Sequence, residues 1–281
     1  MTISLDSGLN LQLISFNTEK CTVCGTCSRI CPIFIIAHRE KEYPSLPSES
    51  EAFCTHCGHC EAICPANAIT INYQVFPPED ENSVPEQISS NLLTKYVQSR
   101  RSIRIFKDKP VEKEKIAAIF EAVRFAPSGM NAQPVKWLVV TDAAKINEFA
   151  NLTIDWMRMM VEKGTEHPLK NYFPVLVALA DAGLDPICRN SPCLVYAYSE
   201  NASGYTDSII ALTTFDLMAP SFGLGTCWVG LLHRAAVEYQ PLREALGIPD
   251  GFVLQFPMLV GYSKYKFEKI PGRKKVDVIW R

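Results

Sequence analysis

The 281-residue chain has a formal net charge of −2 and 21% charged residues, so it offers no basic footprint for nucleic acid or an anionic membrane. Its 47% apolar residues can fill a sizeable core, and its length allows two domains. No uninterrupted apolar run is long enough for a membrane-spanning helix. The opening MTISLDSGLNLQLISF lacks a basic region followed by an apolar one, so the expected location is the cytoplasm.

Residues 1–76 form the first expected domain. Eight of the eleven cysteines fall within residues 21–64, in CTVCGTCSRICP (21–32) and CTHCGHCEAICP (54–65). The two runs agree at eight of twelve positions and read as one duplicated unit. Clustered cysteines without a secretion signal, odd in total, point to ligation rather than disulfides. Each run has the pattern C-x2-C-x2-C-x3-C-P. Three thiolates spaced three apart let a tight loop wrap one face of an iron–sulfur cubane. The fourth lies too far along to close the same cluster and ligates the other one. The expected ligands are Cys21, Cys24, Cys27 and Cys64 for one [4Fe–4S] cluster, and Cys54, Cys57, Cys60 and Cys31 for the second. Structural zinc prefers separated cysteine pairs or added histidine, which this spacing does not offer. Gly25 and Gly58 are expected to let the backbone approach inorganic sulfide, and Pro32 and Pro65 to turn the chain away. His56 and His59 read as exposed loop histidines, and AITINYQVF (68–76) as a short strand.

PPEDENSVPEQ (77–87) is rich in proline and acid and reads as a linker. ISSNLLTKYVQSR and VEKEKIAAIFEAVRFA (111–126) have helical spacing. WLVVTD, CLVYAYS and FVLQFPMLVGY read as strands. TDSIIALTTFDLMAPSF (206–222) reads as a mostly buried helix ended near Gly223 and Gly225. Residues 151–192 are expected to form a helical excursion or lid. No strand is followed by GxGxxG, so a dinucleotide-binding sheet is unsupported. Cys188, Cys193 and Cys227 form no third run and read as buried free thiols.

Residues 1–76 resemble the bacterial-type two-cluster ferredoxins. Residues 88–281 carry RRSIRIF (100–106), APSGMNAQP (126–134), GLGTCWVG (223–230) and PGRKKV (271–276), which in this order resemble the nitroreductase family of FMN-binding homodimers. The fold so implied is α+β: a ferredoxin-like 2x[4Fe-4S] domain fused to a nitroreductase-like FMN-binding α+β sandwich with a central mixed sheet. The resemblance implies that Arg100, Arg101, Ser102 and Arg104 hold the FMN phosphate and ribityl chain, with Arg273 and Lys274 or Lys275 completing the clamp. A phosphate carrying close to two negative charges calls for guanidinium groups and oriented N–H donors. It further implies that Pro127, Ser128, Asn131 and Gln133 shape the ring-binding loop, and that Trp228, Val229, Gly230 and Leu231 lie against the ring. A backbone N–H of the last group would face flavin N5. VDVIW (276–280) would be a C-terminal strand crossing to the partner, with FMN at the dimer interface.

Iron–sulfur clusters pass single electrons and a flavin accepts one or two, so the fusion implies a converter. The expected partners are a low-potential electron donor, of ferredoxin type or NAD(P)H, and a small electron-poor acceptor such as a nitroaromatic or quinone. Two other outcomes fit the same sequence: an electron-transfer adaptor to a protein partner, and a reductive dehalogenase or flavin-modifying relative. No protein nucleophile, acid or base stands out, and His233, His167 and the tyrosines are the available proton sources.

Overall fold

The computed structural model describes residues 13–72 and 87–281. The chain divides into two compact units, Met1–Glu86 with Met130–Ala132, and Gln87–Gly129 with Gln133–Arg281. Residues 73–76 of the expected strand and 77–86 of the expected linker lie outside the described residues.

In the first unit, strands β1 (Ile14–Phe16) and β2 (Ile69–Ile71) pair antiparallel with Ile14 opposite Ile71. Ile14, Ile36, Ile69 and Ile71 are buried with Cys27, Cys31 and Cys60 in one small core. Each cysteine run turns into a short helix, α1 (Thr26–Ile30) and α2 (His59–Ala62). Gly25 and Gly58 cap these helices at φ 67° and 75°, a left-handed conformation that favours glycine. At Gly25 a Cβ would also fall 2.6 Å from the His38 ring.

The second unit begins with α3 (Ser90–Ser99), whose N-cap Ser89 accepts the Leu92 N–H at 3.3 Å. It continues through α4 (Lys113–Val123), β3 (Lys136–Val140), α5 (Ala143–Glu162), α6 (Phe173–Asp181), β4 (Cys193–Ser199) and α7 (Gly204–Met218). β5 (Gly225–Trp228), α8 (Gly230–Glu238), α9 (Gln240–Leu246) and β6 (Val253–Gly261) complete it. The sheet runs in the order β3-β4-β6-β5, and all three ladders are antiparallel. It becomes mixed at the β5 edge, where Ser102 bridges Thr226 in parallel and the Ile103 N–H bonds the Thr226 carbonyl at 2.8 Å.

Strand β4 shows why helices cover both faces. Successive side chains alternate across a strand. Leu194 and Tyr196 pack with Trp156, Met157, Phe173 and Leu232 on one side. Cys193, Val195 and Ala197 pack with Ile119, Leu212 and Phe215 on the other. The region 151–192 does not stand off as a lid. Its helices α5 and α6 bury Ile154, Trp156, Met157 and Phe173 in the first of these cores, because the apolar positions recur at helical spacing. α7 passes into a short turn and ends at Gly223, φ 74°. Within one chain residues 276–280 form no strand, and Val276, Ile279 and Trp280 are exposed. Among the described residues no helix is long and apolar enough to cross a membrane.

Gly225 has a steric role that ties two distant segments together. A Cβ there would lie 2.2 Å from Cγ1 of Ile103, closer than any real contact. Gly225→Ala should therefore push the 100–104 segment off β5 and destabilise the full chain by about 1–3 kcal/mol in urea unfolding. Adding Ile103→Ala should recover part of that loss, whereas strictly additive effects would contradict the steric account.

Candidate functional site

In the first unit the eight cysteines sort into two hollows. Cys31, Cys54, Cys57 and Cys60 line one of about 310 Å³ with Ile14, Ile36 and Ile71. Cys21, Cys24, Cys27 and Cys64 line the other, of about 350 Å³, with Pro44, Pro65 and Ile69. Each quartet thus takes its fourth sulfur from the opposite run. The charges follow the same partition: Cys54 feels Cys57 and Cys31, while Cys27 feels Cys21 and Cys24. Four thiolates on each hollow suit a multi-iron cluster. Burial pushes the Cys60 thiol up to about 11, a cost that bonding to a cationic cluster removes. Gly25 and Gly58 lie on the hollow walls, and His56 and His59 are exposed.

The three remaining cysteines are buried in the second unit. Burial raises the thiols of Cys188 and Cys227 and takes that of Cys193 to about 12, so they stay protonated.

The basic residues of the second unit come from far apart in the chain. Arg100 pairs with Asp216 at 3.3 Å. Arg101 folds its guanidinium back onto the carbonyls of Arg100 and Gln98, leaving its Nε buried without a partner. Its pKa is lowered first by desolvation and then by the positive charges of Arg273 and Arg100. Like charges gathered in this way call for an anion between them, as a phosphate would supply. Ser102 sits on the edge bridge to Thr226, and Arg104 is exposed nearby, its charge reaching Cys227. The positive charge of Arg189 also reaches Cys227. Arg189, unmarked by any motif, stands in a left-handed turn with φ 59°. Arg273 and Lys274 lie in the exposed C-terminal stretch.

The loop 127–133 carries three non-glycine residues at positive φ: Met130 and Asn131 at 53° and Gln133 at 47°. Such conformations cost energy and persist where the surroundings impose them. Among the bonds that hold this loop, Ser128 Oγ accepts the Gln133 N–H at 3.0 Å and Asp207 Oδ1 accepts the Gly129 N–H at 3.0 Å. Pro127 is exposed at its start.

At the end of β5, Asp216 is the organising residue that sequence reasoning missed. Only 4% exposed, it accepts from Thr226 Oγ1, from Trp228 Nε1 at 3.3 Å and pairs with Arg100. One carboxylate on α7 thereby holds the arginine segment, the β5 edge and the Trp228 ring. The signal was a lone acid in the uncharged stretch around it, IIALTTFDLM. The Val229 side chain is buried, and its N–H is taken by the Pro257 carbonyl at 3.2 Å. The amides left to face a ligand are those of Gly230 and Leu231, in the first turn of α8, where helix geometry supplies no internal acceptor.

His233, one turn further on, stacks on Phe256 at 4.9 Å, and its Nδ1 lies 3.1 Å from Tyr196 OH. Phe256 in turn contacts Trp228 at 5.4 Å. Burial takes His233 down to about 4, so it is neutral at pH 7 and holds no spare proton there. Burial likewise keeps Tyr196 protonated. His167 is held by its neighbours, Nδ1 accepting the Leu169 N–H at 3.0 Å and Nε2 facing Arg234 at 3.4 Å.

Residues 97–262 match the model of the nitroreductase family, and residues 20–69 match the 4Fe-4S dicluster domain. A protein of Archaeoglobus fulgidus with the provisional name NADH dehydrogenase/NAD(P)H nitroreductase is 29% identical over 60% of this chain and 84% of its own. The FMN reductase [NAD(P)H] of Bacillus subtilis is 27% identical over 64% of this chain and 70% of its own. The FMN-bound nitroreductase structure from Desulfitobacterium hafniense shares the fold, with a TM-score of 0.54 at 22% identity, over 69% of this chain and all of that one.

The depressed His233 fixes the sign of one pH effect. Between about pH 6.5 and 4 the unfolded chain binds the His233 proton and the folded one does not, so stability is full above that window and falls as pH drops through it. Urea unfolding of the wild type and His233→Gln should diverge through this window; parallel pH profiles would contradict the assignment.

Proposed function

The chain belongs to the nitroreductase family, and from that premise we propose that it is an FMN-dependent oxidoreductase fed by two [4Fe–4S] clusters of its own. The observation that carries this reading is the coexistence of two crossed cysteine quartets with a convergent basic site on one polypeptide. When bound, FMN would supply two-electron reduction of an acceptor at its N5, and the clusters would supply single electrons.

The chain's own residues define what each cofactor would meet. Arg100, Arg101, Ser102, Arg104, Arg273 and Lys274 would neutralise and orient the FMN phosphate. Arg100 shares its charge with Asp216, which keeps the guanidinium fixed before any anion arrives. Pro127, Ser128, Asn131 and Gln133 would shape the loop at the ring, and Trp228, Val229, Gly230 and Leu231 the opposite wall, with a Gly230 or Leu231 amide facing N5. Neutral His233 and protonated Tyr196 stand behind that wall as structure, so protons for the acceptor would come from solvent. The acceptor class is a small electron-poor molecule such as a nitroaromatic or quinone. The donor class is a low-potential one-electron carrier, with NAD(P)H as the competing source. FMN would lie at a homodimer interface.

The reading is tested on anaerobically purified full-length chain. It should retain FMN and reduce nitroaromatic and quinone acceptors with a ferredoxin-type donor. Cys57→Ser should abolish that turnover while leaving FMN bound. A chain that binds no flavin, or that reduces none of the acceptors with any donor, contradicts it. Arg104→Ala should weaken FMN binding about 10- to 100-fold, the worth of one charged hydrogen bond, read by recovery of free-flavin fluorescence.

A further inference from the structure

The duplicated unit does not give its two halves equal surroundings, and the geometry points to an ordered pair: the cluster held by Cys21, Cys24, Cys27 and Cys64 has the higher reduction potential. This inference rests on the proposed cluster loading and deepens it by giving the two centres different roles.

Reduction adds one negative charge to a cluster, so hydrogen bonds to its sulfurs and nearby positive charge raise its potential, and nearby negative charge lowers it. The two runs differ at four of twelve positions, and three of those differences, with Glu51 outside the runs, set the donors and charges near the sulfurs. In the first run, Thr26 Oγ1 lies 3.4 Å from Cys24 Sγ and donates to it as a thiolate. Arg29 Nη2 holds the Cys24 carbonyl at 3.0 Å and approaches Thr26 Oγ1 at 3.4 Å, placing a guanidinium beside Cys24 of this quartet. Two amides add to it, Val23 N–H to Cys21 Sγ at 3.4 Å and Ala68 N–H to Cys64 Sγ at 3.3 Å.

The second run lacks the hydroxyl and the guanidinium. Its counterpart of Thr26 is His59, which turns Nδ1 to the Cys57 carbonyl at 3.2 Å, and its counterpart of Arg29 is Ala62. The counterpart of Ser28 is Glu61, a carboxylate held by the Ile71 N–H at 3.1 Å. Glu51 adds a second negative charge that reaches Cys54. The amides of His56 and Glu61 serve Cys54 and Cys60, as that of Ser28 serves Cys27, so backbone donation does not reverse the difference.

The consequence is a direction. An electron delivered by a low-potential one-electron carrier to the Cys31/Cys54/Cys57/Cys60 cluster passes to the other. The first is oxidised by one electron as the second is reduced by one, and no bond breaks. At equilibrium the electron then rests mainly on the Cys21/Cys24/Cys27/Cys64 cluster, so the duplicated unit is not two equivalent stores.

The test is an anaerobic redox titration of the full-length holoprotein followed by electron paramagnetic resonance, after iron and sulfide analysis. Two resolved steps are expected. Arg29→Ala and Thr26→Val should each move only the upper step to lower potential, and Arg29→Lys should restore it. Glu61→Gln, which keeps the acceptor for Ile71, should move only the lower step upward. Coincident steps in a chain holding the iron and sulfide of two cubanes overturn the inference alone, as does a lower step that responds to Arg29→Ala. A chain lacking that iron overturns the parent reading and this one with it.

Discussion

A loop with cysteines at every third position reaches one face of a cubane and no further, so each cluster must borrow its last sulfur from the other run. That constraint governs the first unit. It brings Cys64 to the first run and Cys31 to the second, which forces the two runs face to face. With so few residues, the isoleucines around the hollows supply little apolar core of their own. Cluster binding is therefore folding free energy for this unit.

The second unit repeats the theme with charge in place of sulfur. Its basic residues lie at both ends of the domain sequence, and alone they would repel one another. Asp216 offsets part of that repulsion from inside α7, and the same carboxylate orients Trp228 at the end of β5. The fit of Ile103 against Gly225 locks the arginine segment to the sheet edge. Sheet, helix and arginine segment therefore position each other.

The sequence showed most of this where chemistry is written in spacing. Cysteine intervals gave both quartets, because ligand geometry tolerates few alternatives. Apolar runs in CLVYAYS and TDSIIALTTFDLM located a strand and a helix close to their observed limits, since both are buried on most sides. Residues 151–192 were obscure because Pro168 between α5 and α6, and Pro186 and Pro192 after α6, mask the shared packing of the two helices. Asp216 was hidden for a different reason: its partners Arg100, Thr226 and Trp228 converge only through tertiary structure. The engagement of the Val229 amide by Pro257 is likewise a property of the β5–β6 pairing and has no local signature. The Arg29 and Glu61 difference was visible as a mismatch within the repeat, yet it gained meaning only once each residue was placed beside a particular quartet.

The central claim is that the sulfur-bound centres charge the flavin within one polypeptide. Anaerobic stopped-flow absorbance reads it directly, with the holoprotein mixed against a one-electron donor. The account predicts that cluster absorbance falls first and flavin bleaching follows at a rate independent of protein concentration. Clusters that fill while the flavin stays oxidised, or bleaching whose rate scales with protein concentration, would contradict it.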